Sequence, residues 1–417
     1  MIKLKKIMAL GLSALMVTSL VGCGGTTNAT ENKKSDSSKG TEITFWNSFT
    51  GADGDMLVKM VDKFNKENKD GIKVKMDISS DFDSQLSTAF AAGEGPTMIL
   101  SSSAYRFTYG DYLQDVSDVF DKTDLDKTDF IPFQVVGYYM YWNKDLFKQA
   151  GLDPETPPVN WDEWAKDAAK ITDSSKNIYG SGISYDYAYQ IAHIMQRFGG
   201  LAVTDDNGKW KANFENNAGY EKFLNMYKDM IDKGDNPVEA DTDSMVSAGQ
   251  VGITVGGPWV TAGLDTAGVD YGIGLIPQDD AGDMNSVEVI GFGITTAASD
   301  AEKEAAYKFI EWWNTQDKDG SSPALEWSLK NGFPAYTYSV QNNDEYKANK
   351  KLSAMSAANP EAPTDFIVDS NFPGINAVLS DVIPEMINSV AFGNSSVEEA
   401  LTKAQEATQK IVDKYNK

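Results

Sequence analysis

The stretch EITFWNSFTGADGDMLVKMVDKFNKENKDGIKVKMDI, residues 42–78, decides the fold. Its first residues alternate between apolar and polar side chains, which predicts a short strand. The apolar residues of the middle part share one helical face: Met56, Leu57, Met60, Val61 and Phe64. We expect Gly71 to end that helix, and the alternation returns at residues 72–78. The stretch therefore predicts a strand, a helix and a second strand.

The following residues extend this unit. DFDSQLSTAFAAGEG, residues 81–95, is typical of a helix with a glycine stop, and PTMILS, residues 96–101, of a buried strand. Strands that alternate with helices in this way predict an α/β fold with a parallel sheet and right-handed crossovers. In open sheets of this kind, ligands bind beyond the carboxyl ends of the strands. A second set of elements begins near Tyr138.

Composition excludes several classes of function. The chain has 417 residues, enough for two domains, and a formal net charge of -24. Such an acidic surface repels phosphate backbones, so we expect no nucleic-acid partner. The chain has one histidine, His193, and one cysteine, Cys23. These counts exclude a His-rich metal site, and we predict neither a metal nor a cofactor. His193 lies in a helical stretch without a nucleophile, and we assign it no role.

The N-terminal residues are typical of a secretion signal. Three lysines precede an apolar run, residues 7–21, which has the length of a signal peptide and is short for a membrane span. LVGC, residues 20–23, resembles the lipobox of bacterial lipoproteins. The resemblance implies that residues 1–22 are removed and that Cys23 carries the lipid. An uncleaved membrane anchor is the alternative.

Residues 23–40 predict a flexible tether. This segment contains almost no apolar side chain, so it cannot bury enough surface to fold. A flexible chain of this length reaches roughly 20–25 Å. The folded part would then be lipid-anchored on the outer face of the cell membrane, where it would work with something in that membrane.

VGGPWVTAGLDTAGVDYGIGLIP, residues 255–277, is the most specific stretch. A buried strand ends at Gly256 and Gly257, where small residues allow a close approach, and Pro258 suits the first position of a helix. Trp259 then follows the carboxyl end of the strand. An indole is a rigid platform for the apolar C–H face of a sugar ring. The alternative is that Trp259 only fills the junction between strand and helix.

Four motifs in order carry a family resemblance: ITFWNSFTGADGDMLVKMVDKFNKEN, FAAGEGPTMI, YWNKDLFKQAGLDPETPPVNWDEW and GGPW. With them the whole mature chain resembles the carbohydrate-binding branch of the bacterial extracellular solute-binding proteins, the group that includes maltose-binding protein. The resemblance implies a two-lobed periplasmic-binding-protein-like fold. Each lobe would be a mixed, mostly parallel sheet flanked by helices, and crossing hinge strands would join the lobes. Ligand would bind between the lobes, and the closed form would deliver it to an ABC permease.

The resemblance also implies lobe boundaries and crossings. The first lobe would comprise residues 41–137 and 290–338, and the second lobe residues 138–289 and 339–417. Gly137 would lie near the first crossing and residues 286–291 near the second.

Several ligand contacts are implied by position. In the second lobe they are Trp259, Gly257 and an aromatic contact from Tyr185, Tyr187 or Tyr189. In the first lobe they are Asn47, Ser48, Thr50, Tyr105, Arg106 and Gln134. Arg106 is one of two arginines, and its guanidinium could donate two parallel hydrogen bonds to neighbouring hydroxyls; a surface ion pair is the alternative. Thr97 and Val136 stand where the family has acidic residues, and Gln134 could compensate.

These features favour a monomeric binding protein that traps a carbohydrate, most simply an oligosaccharide, and releases it unchanged. A lipid-anchored glycoside hydrolase is a competing hypothesis, but the matched cleft positions offer no carboxylate pair. A ligand-binding partner of a sensory receptor is another, because the same fold serves both uses. Release of reducing ends would favour the hydrolase, and co-purification with a receptor would favour the sensor.

Overall fold

The computed structural model describes residues 40–102, 105–116, 130–215, 217–238, 242–279, 287–358 and 372–416. The predicted signal peptide, Cys23 and residues 23–39 of the predicted tether lie outside the described residues. The side chain of Arg106 does too. Among the residues described, none of the helices has the length and apolar character that a membrane crossing needs.

The first sheet has five strands in the order β2-β1-β3-β11-β4. Their bounds are β1 Glu42–Asn47, β2 Lys73–Ile78, β3 Met98–Ser102, β4 Ile131–Gly137 and β11 Val287–Ile294. β1 pairs in parallel with β2 and β3, as the βαβαβ pattern predicts. β11 pairs antiparallel with both β3 and β4.

The second sheet has four strands in the order β10-β5-β9-β6. Their bounds are β5 Tyr139–Asn143, β6 Tyr179–Gly182, β9 Val251–Gly256 and β10 Tyr271–Gly274. β6 and β9 are parallel, whereas β5 is antiparallel to both β9 and β10. A separate hairpin joins β7 (Val203–Asp205) to β8 (Trp210–Ala212).

Both sheets are mixed, as predicted, but the expectation that they are mostly parallel is wrong. The first sheet has as many antiparallel as parallel pairings, and the second has more antiparallel pairings. The strand register gives the reason. β5 and β11 begin at the edge where neighbouring strands end, because Tyr139 faces Gly256 and Ile290 faces Ser102. A strand that enters a sheet from that edge must run against those neighbours.

Helices cover both sheets. In the first half of the chain they are α1 Ala52–Glu67, α2 Phe82–Ala92, α3 Tyr105–Tyr109, α4 Lys144–Gln149, α5 Trp161–Ile171, α6 Ala188–Arg197 and α7 Ala218–Lys233. In the second half they are α8 Asp243–Ser247, α9 Val260–Ala267, α10 Asp300–Asn314, α11 Pro323–Asn331, α12 Tyr338–Gln341, α13 Asp344–Ala348, α14 Lys350–Ala358, α15 Ile375–Ala377, α16 Ile383–Ala391 and α17 Val397–Val412. A π-helical turn, Val378–Val382, joins α15 to α16.

Local signals place the helix ends well. Asn160 caps α5 by accepting a hydrogen bond from the N–H of Glu163, which lies three residues further along the chain, the usual spacing for a helix cap. The predicted end of α1 is four residues late. The helix ends at Glu67 because the Asn68 side chain binds the Phe64 carbonyl and both backbone groups of Ile72. Gly71, at φ +70°, lies in the turn that follows.

Each sheet has its own hydrophobic core. The first core joins β1, β2, β3, β4 and β11 to α1, α10 and α11, and it includes the fully buried Trp313. The second core joins β5 and β9 to α5, α6, α7, α16 and α17, and it includes Trp161 and Trp164. A smaller cluster covers the other face of β5 and includes Leu264 and Met355. The chain thus forms two sheet-and-helix lobes.

Candidate ligand-binding cleft

The strand register brings one edge of each sheet to face the other. β4 ends at Gly137 in the first sheet, and β5 begins at Tyr139 in the second. A single residue, Tyr138, therefore connects the two edges. Asn47 ends β1 and Ser102 ends β3 at the first edge, and Gly182 and Gly256 end β6 and β9 at the second. Apart from Gln134, which lies within β4, the predicted ligand contacts lie at or after the carboxyl ends of strands, where open α/β sheets bind ligands.

Trp259 lies at the junction of the two lobes. It is half-buried and packs against the cores of both sheets and against the smaller cluster. Its indole folds back over Gly257, where a Cβ atom would lie 2.1 Å from Cζ3 of the ring. The Gly257 carbonyl accepts a hydrogen bond of 2.8 Å from the Tyr141 hydroxyl. The lack of a side chain at position 257 therefore sets the position of the indole. α9 begins two residues later than the predicted start at Pro258.

Tyr138 and Tyr187 extend the aromatic surface around Trp259. The Tyr138 ring meets the indole edge-to-face at 5.6 Å between centroids, and the Tyr187 ring lies 6.5 Å from it. The two tyrosine hydroxyls are 2.8 Å apart and share a hydrogen bond. Burial is the main cause that raises the pKa of both hydroxyls, so both stay protonated at neutral pH. The hydroxyl that accepts the shared hydrogen bond keeps its own proton for a ligand.

The imidazole ring of His193 packs against the ring of Tyr138. The two rings stack at 3.9 Å between centroids, and the Nδ1 atom donates to the Tyr189 carbonyl at 2.8 Å. Burial lowers the pKa of His193 to about 4, so the imidazole is neutral at physiological pH. With Nδ1 protonated, the buried Nε2 atom carries a lone pair and has no partner among the described residues.

A cavity of about 410 Å³ lies between the two lobes, within the range of small-molecule sites. Asp83, on α2 of the first lobe, lines one side. The second lobe supplies the other lining residues: Asp186, Tyr187, Ala188, Tyr189, Asn376, Leu379, Ser380 and Pro384. The last four come from α15, the π-helical turn and α16, and π-helical turns occur frequently at functional sites.

Tyr105 of the first lobe lies within electrostatic range of Tyr189, which lines this cavity from the second lobe. The Tyr105 hydroxyl donates to the Asp83 carboxylate. Burial, followed by the charge of Asp83, raises the pKa of Tyr105. Tyr189 is 41 % exposed, yet the surrounding protein, Glu288 and Asp83 raise its pKa. A tyrosine ring that is exposed while its hydroxyl is poorly solvated, as in Tyr189, is typical of a concave surface.

Glu288 is a carboxylate at the same edge. It lies on β11 opposite Val136 of β4, the position where the family resemblance led us to expect an acidic ligand contact. Burial raises its pKa, and a hydrogen bond from Ser102 partly offsets this. Its charge also raises the pKa values of Tyr138, Tyr187 and Tyr189, so it lies within electrostatic range of the aromatic surface.

The other predicted contacts divide into two groups. Ser48 and Thr50 are exposed beyond the end of β1. Asn47 and Gln134 are buried, and their polar atoms are used by the protein itself. Asn47 accepts from the Phe49 N–H at 3.0 Å, and Gln134 accepts from the Trp327 indole N–H at 2.7 Å. The structure therefore does not bring these two side chains to the cleft surface.

Among the three tyrosines from which the sequence could not choose, Tyr187 and Tyr189 line the cavity. Tyr185 is half-buried and meets the exposed Phe392 edge-to-face at 5.6 Å. Arg106 lies on α3 beside Tyr105, and the placement of its guanidinium lies outside the described part of the structure.

Sequence reasoning missed Asp83, Tyr138 and Glu288. Asp83 in the first turn of α2 has the pattern of an acid that favours a helix N-terminus. Glu288 could have been identified from the sequence, because it is the one charged residue in the otherwise apolar strand VEVIGFGI. Tyr138 stood beside the predicted crossing, but its contacts with Tyr187 and His193 come from elements distant in sequence.

Comparisons with known proteins agree with this geometry. The family model described as bacterial extracellular solute-binding protein matches residues 59–354. The sn-glycerol-3-phosphate-binding periplasmic protein UgpB of Shigella dysenteriae serotype 1 is 26% identical, over 90% of this chain and 94% of its own length.

Solved structures share the fold. A solute-binding protein of Thermotoga lettingae bound to alpha-D-tagatose has a TM-score of 0.73 at 22% identity, and covers 89% of this chain and 100% of its own. The maltose/maltodextrin-binding domain MalE of Bdellovibrio bacteriovorus, bound to maltotriose, has a TM-score of 0.73 at 20% identity with the same coverage.

Proposed function

The chain belongs to the bacterial extracellular solute-binding proteins, and from this premise we propose that it captures a sugar between its two lobes for an ABC importer. The relatives support the class of function, since UgpB is named for a glycerol phosphate and the two solved structures hold sugars. The choice of a sugar, most simply an oligosaccharide, comes from the cleft itself.

The observation that carries the proposal is the position of Trp259. A half-buried indole touches the cores of both lobes and stands beside two protonated tyrosine hydroxyls, close to a cavity that both lobes line. Sugars combine apolar C–H faces with hydroxyl groups, so they match a surface that offers both stacking and hydrogen bonds. Tyr187, Tyr189, Tyr105, Ser48 and Thr50 complete the proposed contact set, with Gly257 positioning the indole.

Binding couples to closure in this proposal. A ligand shifts the open–closed equilibrium only through contacts that it makes in one state and not in the other. Here those contacts come from opposite sides of one cavity, with Asp83 on the first lobe and Tyr187 and Tyr189 on the second. Stacking supplies affinity, and hydrogen bonds select the sugar, because an unpaired buried polar group costs about 1–3 kcal/mol. No bond of the ligand is broken, so the sugar leaves unchanged.

The test is a titration of intrinsic fluorescence with maltose, maltotriose and tagatose, for the wild type and for Trp259→Ala. We expect one of these sugars to bind the wild type saturably, without release of reducing ends. Loss of the stacking platform should weaken that binding by about ten- to a hundredfold, which corresponds to about 1.4–3 kcal/mol. Trp210→Ala is the matched control, because Trp210 is also half-buried but lies on the β7–β8 hairpin. Equal affinity in wild type and Trp259→Ala would refute the stacking role.

The proposal includes lipid anchoring at Cys23 and delivery to permease subunits in the membrane. The signal-like residues 1–22, the lipobox and the polar tether support it. Two acyl chains are about what stable anchoring needs. In cells, the wild type should fractionate with membranes and Cys23→Ser should be released into the soluble extracytoplasmic fraction. Membrane retention of Cys23→Ser would instead favour an uncleaved anchor.

A further inference from the structure

Carboxylates lie on both sides of the cleft. Asp83 and Asp186 line the cavity from opposite lobes, and Glu288 and Asp243 raise the pKa of Tyr187 through their charges. Asp83 acts in the same way on Tyr105, and Glu288 on Tyr138 and Tyr189. Among the described residues, no lysine or arginine figures among the groups that shift the pKa values of these tyrosines.

The described residues that line the cavity include carboxylates but no cation. Arg106, on α3 beside Tyr105, contributes at most one positive charge against the carboxylates of Asp83, Asp186 and Glu288. The N-terminus of α6 also faces the cavity through Ala188, but a helix N-terminus carries only about half a positive charge, and Asp186 lies beside it.

We propose that this cleft takes a sugar without negative charge and excludes ligands that carry a phosphate or carboxylate group. The inference rests on the proposed function and narrows it. The carboxylates accept hydrogen bonds from sugar hydroxyls, and accept them more strongly than neutral oxygens would. The same carboxylates repel a phosphate, and a half-buried site screens that repulsion less than open solvent does. The chain therefore departs from the glycerol-phosphate ligand for which its relative UgpB is named.

The first test measures the field of the cleft without any ligand. The fluorescence of Trp259, obtained as the difference between wild type and Trp259→Phe, is quenched with caesium, iodide and neutral acrylamide at constant ionic strength. A negative cleft concentrates the cation. With each quenching constant divided by that of the same ion for free N-acetyltryptophanamide, we expect the caesium value to be at least twice the iodide value, and the two ions are compared on this scale throughout. In Asp83→Asn/Glu288→Gln this preference should fall toward equality. Equal or stronger quenching by iodide in the wild type would overturn the proposal.

The control carries the same change in net charge outside the cleft. Asp62→Asn/Glu398→Gln removes two exposed carboxylates, one on α1 and one on α17. Its caesium preference should match that of the wild type. If this control loses the preference as well, the field belongs to the acidic surface in general and the cleft assignment is wrong.

The second test titrates the wild type with sn-glycerol 3-phosphate beside maltose, maltotriose and tagatose. We expect at least one neutral sugar to bind at least a hundredfold more tightly than the phosphate. Saturable binding of the phosphate with affinity comparable to the sugars would overturn this inference and leave the binding-protein function intact. If neither the sugars nor the phosphate bind, the proposed sugar function fails, and the quenching experiment still decides the charge of the cleft.

Discussion

At the scale of single residues, Gly257 is as important to the cleft as the indole it supports. The Trp259 ring occupies the space in which any side chain at position 257 would lie. Gly257→Ala should therefore displace the indole without removing it. We expect sugar affinity to fall by about tenfold or more, toward the value of Trp259→Ala, because overpacking at such a contact costs about 1–3 kcal/mol.

Ligand titration and near-UV circular dichroism together check this prediction. Gly268→Ala is a useful control for stability, since Gly268 follows α9 at φ +69° and an added Cβ atom would have nothing within 4 Å. That variant should lose stability but keep its affinity. If Gly257→Ala binds sugar as the wild type does, the glycine does not position the ring.

His193 gives a second prediction at this scale, on pH dependence. Its pKa is about 4 in the folded protein against 6.5 for an unperturbed histidine, since burial disfavours the charged form. The unfolded chain therefore takes up a proton as the pH falls below about 6.5, and the native state does not until about pH 4. Stability from the neutral imidazole is fully present above pH 6.5 and is lost as the pH falls, by about 2–3 kcal/mol at pH 4.5.

Urea unfolding of wild type and His193→Phe between pH 7.5 and 4.5 measures this loss. Phenylalanine keeps a ring against Tyr138 but cannot take a proton. The free energy of unfolding of the wild type should fall more steeply with acidity than that of the variant. Parallel curves for the two proteins would show that the buried imidazole does not govern acid stability.

Individual residues also differ in how far their roles could be predicted from the sequence. The junction at residues 256–259 was recognisable because glycine, proline and tryptophan act on neighbours a few residues away. Gln134 was assigned to the ligand on position alone, yet it holds Trp327 from 193 residues away in the chain. Asp83 and Glu288 become cleft groups only through the pairing of strands and the approach of two lobes. Side chains whose role depends on such distant partners cannot be found from local patterns.

At the scale of elements, the bond between Gln134 and Trp327 fixes β4 to α11. Trp327 is buried among Phe133, Trp313 and Phe333, and its indole N–H has the Gln134 amide oxygen as acceptor.

Most strands and helices were predictable from the sequence, because each has its own periodicity and caps. The antiparallel entry of β5 and β11 was not, because strand direction depends on where the chain crosses between sheets.

Gln134→Leu tests the role of this bond. It leaves the Trp327 N–H buried without an acceptor, so we expect a loss of about 1–3 kcal/mol in the free energy of unfolding. Sugar affinity should not change. Adding Trp327→Phe removes the second partner, and the double variant should lose less than the sum of the two single variants. A drop in affinity without loss of stability would instead return Gln134 to the ligand contacts.

At the scale of the whole molecule, the two sheets are joined at facing edges and share a cavity there. Trp259 contacts the cores of both lobes, and Tyr138 bridges the sheets within one residue. Rotation of one lobe relative to the other would therefore change the contacts of the aromatic cluster that we propose as the binding surface. Domain closure of this kind concentrates its changes in a few residues at element ends, and both of these residues lie at such ends.

Closure is measurable with a pair of labels, one on each lobe. A version of the chain that begins at Gly24 lacks Cys23, the single native cysteine, so introduced thiols can be labelled alone. Ser87→Cys on α2 and Glu385→Cys on α16 are exposed and near the cavity residues Asp83 and Pro384. We expect the distance between the labels to shorten, and its distribution to narrow, when a saturating sugar is added. A pair within the second lobe, Glu385→Cys and Lys403→Cys, should show no change. At a sugar concentration that half-saturates the wild type, the response of the first pair should be several-fold smaller in Trp259→Ala. An unchanged distance between the lobes in the presence of bound sugar would mean that this protein holds its ligand without closing.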